Sequence, residues 1–189
     1  MFVLAAYLLG SVPTGLLLGK AFGVDIRTTG SGNIGATNVY RTLGRRLGVI
    51  TLLGDCLKGL LPILAAQWFG LPDFWIAAVG FAAFFGHVFS LFLGFKGGKG
   101  VATALGVFLG ASPLAVLASF VVFTLVLLKW RYISLASISA AAAIPMIVAL
   151  IDPRPHIIVM TLLIAALVIG KHRDNIGRLR AGTENKFKP

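Results

Sequence analysis

The sequence predicts an all-α integral membrane protein: a bundle of seven transmembrane helices, N-terminus outside and C-terminus cytoplasmic. Three observations carry this expectation. The 189 residues are 58% hydrophobic and 12% charged, against roughly 25% charged in a soluble domain. Apolar runs follow one another through short polar links, and helices satisfy their own backbone in lipid. The basic residues gather in alternate links, as the positive-inside rule requires.

The runs are 1–19, 47–70, 74–95, 100–128, 132–151 and 156–170. The first has no basic residue before it, and Lys20 follows it. That is the reverse of a secretory signal, so an uncleaved span is expected. The run 100–128 would be about 44 Å long as one helix, too long for a core of about 30 Å. Ser112-Pro113, after Gly110, breaks it into 100–111 and 113–129, both short for a full crossing. Counting them separately puts 20–46, 94–100, 129–131 and 171–189 on one side. That side then holds every Lys and Arg of the 17 except Lys58 and Arg154. A six-span count would scatter them. The opposite links, 71–74 and 152–156, have little material for a soluble site. One domain over 1–189 is expected, with close helix packing at Gly15-x-x-x-Gly19-x-x-x-Gly23 and Gly106-x-x-x-Gly110.

The formal charge of +11 would suit nucleic acid on a soluble face. Here the cations lie between apolar runs, so no nucleic acid is expected. Membrane lipid headgroups or a small phosphorylated substrate fit better. Cys56 is the only cysteine and is expected to pack.

Three polar segments fall on the basic side. The first, GSGNIGATNVYR at 30–41, is too polar for lipid and too glycine-rich for a good helix. Gly32 and Gly35 let backbone N–H groups converge as an anion nest. Ser31, Asn33, Thr37 and Asn38 add neutral hydrogen-bonding groups, and Arg41 a bidentate charge for phosphate. A flexible loop with a helix cap is the plainer alternative. The second, GHVFSLFLGFKGGKGVAT at 86–103, carries Lys96 and Lys99 among Gly97, Gly98 and Gly100, a chain that can approach a ligand closely. It is not a Walker A loop, since Leu93 and Gly100 stand where glycine and a hydroxyl residue should. A positive-inside anchor is its alternative, and His87 reads as a packing residue. In the third, at 170–186, His172 and Asn175 share a helix face, with Arg178 a turn further on. A polar turn, Gly182 to Asn185, follows. A lipid-binding tail is the alternative here. Asp55 and Lys58 stand i, i+3 inside a span, where unpaired charges are costly; a structural ion pair is expected.

Known chemistries are absent from the sequence. The residues five after His87, His156 and His172 are Phe92, Thr161 and Gly177, so there is no His-x-x-x-x-Asp acyltransferase motif. Neither a Gly-x-Ser-x-Gly elbow nor a metal-ligand cluster appears, and neither metal nor cofactor is expected.

Taken together, the three segments and GDCLKG at 54–59 resemble the bacterial acyl-phosphate:glycerol-3-phosphate acyltransferase family in residue pattern, order and spacing over nearly the whole chain. The resemblance implies transfer of a fatty acyl group from acyl phosphate to the sn-1 hydroxyl of glycerol 3-phosphate. Lysophosphatidic acid and phosphate result, in the first acylation of phospholipid synthesis. It implies a monomer in the bacterial inner membrane with its site on the cytoplasmic side. Ser31, Arg41, Lys99, His172 and Asn175 are the implied catalytic residues. Gly32, Asn33, Gly35, Thr37, Asn38, His87, Lys96, Gly97, Gly98, Gly100, Arg178 and Glu184 are the implied substrate-binding set. A transporter or channel for a phosphorylated anion is the rival from another class.

Overall fold

The computed structural model describes residues 1–187; Lys188, one of the tail cations counted above, lies outside the described residues. The chain forms two compact units, the first Met1–Ala111 and the second beginning at Ser112.

The first unit holds α1 (Phe2–Ser11), α2 (Thr14–Ala21), α3 (Ala36–Leu43), α4 (Arg45–Trp68), α5 (Asp73–Val88) and α6 (Val101–Ala111). α1 and α2 are one apolar span, Phe2–Ala21, interrupted at Val12-Pro13. Pro13 lacks a backbone donor, and a break within lipid survives only where neighbours satisfy the freed groups. They do so here. The Ser90 hydroxyl donates to the Ser11 carbonyl at 2.6 Å, and Lys58 Nζ donates to the Val12 carbonyl at 2.8 Å.

Glycines set the helix contacts. α1 packs on α5 and α4 on α6. A Cβ at Gly10 would collide with the Ala83 carbonyl, and one at Gly86 with the Tyr7 carbonyl. Gly59 and Gly106 meet the Thr103 and Cys56 carbonyls in the same way. The Gly106-x-x-x-Gly110 face therefore packs helix on helix as expected. The Gly15-x-x-x-Gly19 face does so in part: Gly15 lies against Thr51 of α4 and Val39 of α3. The same face receives the chain that follows α2, at Ile34 and Val24, while Gly23 meets nothing.

The second unit holds α7 (Pro113–Trp130), α8 (Ile133–Ile151), α9 (Pro155–Lys171) and α10 (Arg173–Arg180). α8 packs against both α7 and α9. Leu114, Leu117, Phe120, Val121, Leu125 and Leu128 leave an exposed apolar face on α7, as Leu53, Leu57, Leu61 and Leu64 do on α4. Contiguous apolar surface on this scale belongs in lipid.

Among the described residues, five stretches are long and apolar enough to cross a membrane: Phe2–Ala21, Arg45–Trp68, Asp73–Leu93, Pro113–Trp130 and Ile133–Ile151. α9 bends by 54° into α10 and makes a sixth if the pair counts as one. The predicted break at Ser112-Pro113 is present, with α6 ending at Ala111 and α7 starting at Pro113. The piece before it is shorter than a crossing: 11 residues of helix rise about 16 Å, roughly half the hydrocarbon core.

Candidate active site

The stretch at 30–41 divides in two. Residues 30–35 are loop, but Ala36–Leu43 is a helix, contrary to the glycine-based expectation. Between Gly35 and Gly44 there is no glycine to oppose it. The Asn33 carboxamide oxygen accepts the Gly35 N–H at 2.9 Å, an Asx turn that sets up the first helical turn. Beneath it Leu16, Ile26, Ile34 and Val39 form a buried apolar cluster, which fixes loop and helix to α2.

Asn38 organises this loop. It is 2% exposed. Its amide donates to the Ile26 and Thr29 carbonyls at 2.9 and 3.1 Å, and its oxygen accepts the Ser31 N–H at 2.8 Å. Gly30 has a φ of +59° and its missing Cβ would collide with that same oxygen. Asn38 thus holds the loop in shape. Ser31, Gly32 and Arg41 are exposed, and Asn33, Gly35 and Thr37 half-buried. At the loop's base Asp25 pairs with Arg27 at 2.6 Å; hydrogen bonds from Arg27 hold its carboxyl down at about 2.

The glycine–lysine loop folds back onto the end of α5. Gly97 N–H donates to the Val88 carbonyl at 3.2 Å and Gly98 N–H to the His87 carbonyl at 3.1 Å. A Cβ at Gly98 would collide with His87 Nε2, and one at Gly100, where φ is +81°, with the Phe84 ring. These glycines have a packing reason, close approach to α5, besides any ligand. Lys96 is exposed and Lys99 half-buried.

Below the loop lies a buried charge cluster. Lys58 Nζ is 2.8 Å from Asp55 Oδ1, the ion pair expected from sequence. His87 Nδ1 faces the same oxygen at 3.8 Å, and the His87 side chain is 4% exposed.

In the second unit the polar groups converge on Glu184. Its Oε1 accepts from the Ser134 hydroxyl at 2.8 Å and the Asn175 amide at 2.6 Å. Its Oε2 accepts from Arg178 Nε at 2.6 Å. Burial works against the charge, but the bonds from Asn175, Ser134 and Arg178 outweigh it and hold this carboxyl below its ordinary value. His172, 3% exposed, joins α9 to α10. Its Nδ1 lies 2.7 Å from the Val168 carbonyl, an acceptor, so in the neutral ring Nδ1 carries the hydrogen and Nε2 the lone pair.

Residues 1–182 match the family model described as glycerol-3-phosphate acyltransferase. The chain belongs to that family. A glycerol-3-phosphate acyltransferase of Geotalea daltonii is 68% identical over 188 residues, covering 100% of this chain and 97% of the relative. One of Aquifex aeolicus is 45% identical, covering 98% and 97%. Two crystal structures of PlsY, an integral membrane glycerol 3-phosphate acyltransferase, are also similar. They superpose with TM-scores of 0.95 and 0.92 at 44% identity, covering 99% of this chain and 94% of each PlsY chain. One is the glycerol 3-phosphate form and the other the lysophosphatidic acid form.

Within this family member the site residues read from sequence fall into local groups. Asn38 meets Ser31, His87 meets Gly97 and Gly98, and Asn175 and Arg178 meet Glu184. Ser134 was missed. Its partner is 50 residues away, and a serine in the first turn of an apolar helix gives no local signal. The pairing of Lys58 with a broken first helix was also missed, because a lone Pro13 does not announce which carbonyl it frees.

Proposed function

We propose that this protein transfers an acyl group from an acyl phosphate to the sn-1 hydroxyl of glycerol 3-phosphate. The observation that carries this is the likeness to PlsY, whose two solved forms, with glycerol 3-phosphate and with lysophosphatidic acid, pair an acceptor with its acylated product. Arg41 and Lys99 clamp phosphate, helped by Lys96. The N–H groups of Gly32 and Gly35, expected as an anion nest, instead bond the Thr29 carbonyl at 3.0 Å and the Asn33 oxygen at 2.9 Å and shape the loop. Ser31, Asn33, Thr37 and Asn175 supply hydrogen bonds, and Asn38, His87, the loop glycines, Arg178 and Glu184 hold these groups in place.

The step balances without an acyl-enzyme. The sn-1 oxygen attacks the acyl carbonyl carbon, the bond from that carbon to the bridging phosphate oxygen breaks, and phosphate leaves. The hydroxyl proton goes to a substrate phosphate, directly or through water. A phosphate ester has a second pKa near 6, close to working pH, where general-base catalysis is efficient. Asp25 and Glu184 are poor bases by comparison, each held ionised by an arginine. One observation favours a second reading: the tautomer of His172 leaves Nε2 able to accept the proton. His172→Gln keeps a hydrogen-bonding side chain and removes that basic nitrogen. Loss of the chemical step with substrate binding intact would establish His172 as the base.

Seven crossings, N-terminus outside and C-terminus cytoplasmic, with the site at the cytoplasmic face of a bacterial inner membrane, complete the proposal. The test is purified protein given acyl phosphate and glycerol 3-phosphate. Release of phosphate together with lysophosphatidic acid is expected. Vesicle uptake of glycerol 3-phosphate without acylation would favour the transporter instead.

A further inference from the structure

We propose that Asp55, Lys58 and His87 are positioning residues for this reaction: the buried ion pair orients the His87 ring, and the ring seats the backbone that carries Lys99. The inference rests on the reading of Lys99 as a phosphate clamp.

The contacts follow one another, the widest being the 3.8 Å between Asp55 Oδ1 and His87 Nδ1, an electrostatic approach and not a hydrogen bond. Lys58 Nζ sits between Asp55 Oδ1 and the Val12 carbonyl, 2.8 Å from each. Asp55 Oδ1 in turn faces one edge of the imidazole, at Nδ1. The opposite edge, Nε2, lies where a Cβ of residue 98 would be. The Gly98 N–H is bonded to the His87 carbonyl at 3.1 Å, so ring and backbone of one residue both define where Gly98 lies. On the far side of Lys99, Gly100 packs on the Phe84 ring of the same helix. Lys99 is therefore strung between two points fixed to α5.

An apolar pair at 55 and 58 would hold α4 in place, often at lower cost than a buried ion pair. It could not orient an imidazole. That difference assigns the charges a use beyond packing. Displacing a group that positions substrate by about 1 Å can cost on the order of 100-fold in rate.

The test is a cycle of four proteins assayed for kcat/KM: parent, Lys99→Ala, the neutral pair Asp55→Asn with Lys58→Met, and all three changes together. Replacing both charges leaves no uncompensated ion in the bundle. The neutral pair also removes the donor to the Val12 carbonyl, so its melting midpoint should fall, and it should lose about tenfold or more in the parent. In the Lys99→Ala background it should lose less than about twofold, because groups acting through one another are not additive. A general loss of stability would lower both backgrounds alike, and equal losses overturn the inference. So does an unimpaired neutral pair beside a deficient Lys99→Ala. Full activity of Lys99→Ala would sink the clamp itself, and the inference with it. Should the neutral pair fail to fold, Gly98→Ala decides in the same two backgrounds. It leaves the ion pair intact and presses on the His87 ring, first at Nε2. A large loss in the parent and almost none beside Lys99→Ala supports the inference; equal losses overturn it.

Discussion

Arg41 is exposed on the last turn of α3, and Lys99 stands half-buried between two glycines. Each offers a charge-assisted contact of about 1.5–3 kcal/mol to a phosphate. Arg41→Ala and Lys99→Ala should each lower kcat/KM by roughly 10- to 150-fold. Arg41→Lys should recover part of this, since the charge stays and the bidentate geometry goes. Near-normal kinetics in both alanine variants would reduce these residues to membrane anchors. At this scale the sequence was informative about residue type and silent about neighbours. Gly97, Gly98 and Gly100 read as freedom to approach a ligand, yet what they approach in the structure is α5. The loop's return onto His87 and Phe84 is a tertiary event with no periodic trace. Asn38 read as a ligand for substrate, and its amide instead binds three backbone groups of its own loop.

α10 and the turn after it depend on one carboxylate. Glu184 has a side chain 5% exposed and accepts from three side chains of its own unit. Glu184→Gln removes the charge that Arg178, Asn175 and Ser134 address. Thermal melting in detergent should show a loss of about 1–3 kcal/mol. The pH dependence has a definite sign. The folded carboxyl lies below its ordinary 4.5, so its contribution is complete above that value. It is lost as pH falls through the lowered folded value. The Gln variant should lack this acid limb, and an identical acid profile in both proteins would show that Glu184 does not hold the turn. Helix existence and type were legible from apolar runs and from the Ser112-Pro113 break. α3 was not, because three glycines before it masked a helix that begins only where they end.

For the whole molecule the charge asymmetry makes a topological claim. With Lys58 and Arg154 set aside, the described cations lie in segments that the seven-crossing count puts on one side. Single cysteines placed near Phe2 and Lys186, in a Cys56→Ser background, should label from opposite sides of sealed vesicles. Labelling from the same side would remove the seven-crossing count. Crossings are legible from sequence because lipid demands long apolar segments. The half-length α6 is less so, since composition fixes neither where a helix stops nor how deep it reaches.

The interrupted first span has a consequence for the order of synthesis. The carbonyl freed at Val12 finds its donor on Lys58, 46 residues later in the chain. At about 5–20 residues per second, the ribosome delivers that lysine some 2–9 s after the break has been made. Until then the Val12 carbonyl has only the Thr14 N–H of its own span, at 3.1 Å, and Lys58 arrives with Asp55 as its one partner. Each is better satisfied in lipid once the 2.8 Å bond between them has formed. Residues 1–22 are therefore expected to enter the bilayer incompletely as a nascent chain ending near residue 45. A chain extended past residue 70 should seat them fully. Glycosylation mapping of an acceptor fused ahead of Met1, on nascent chains of the two lengths, would show whether the first helix waits for the second.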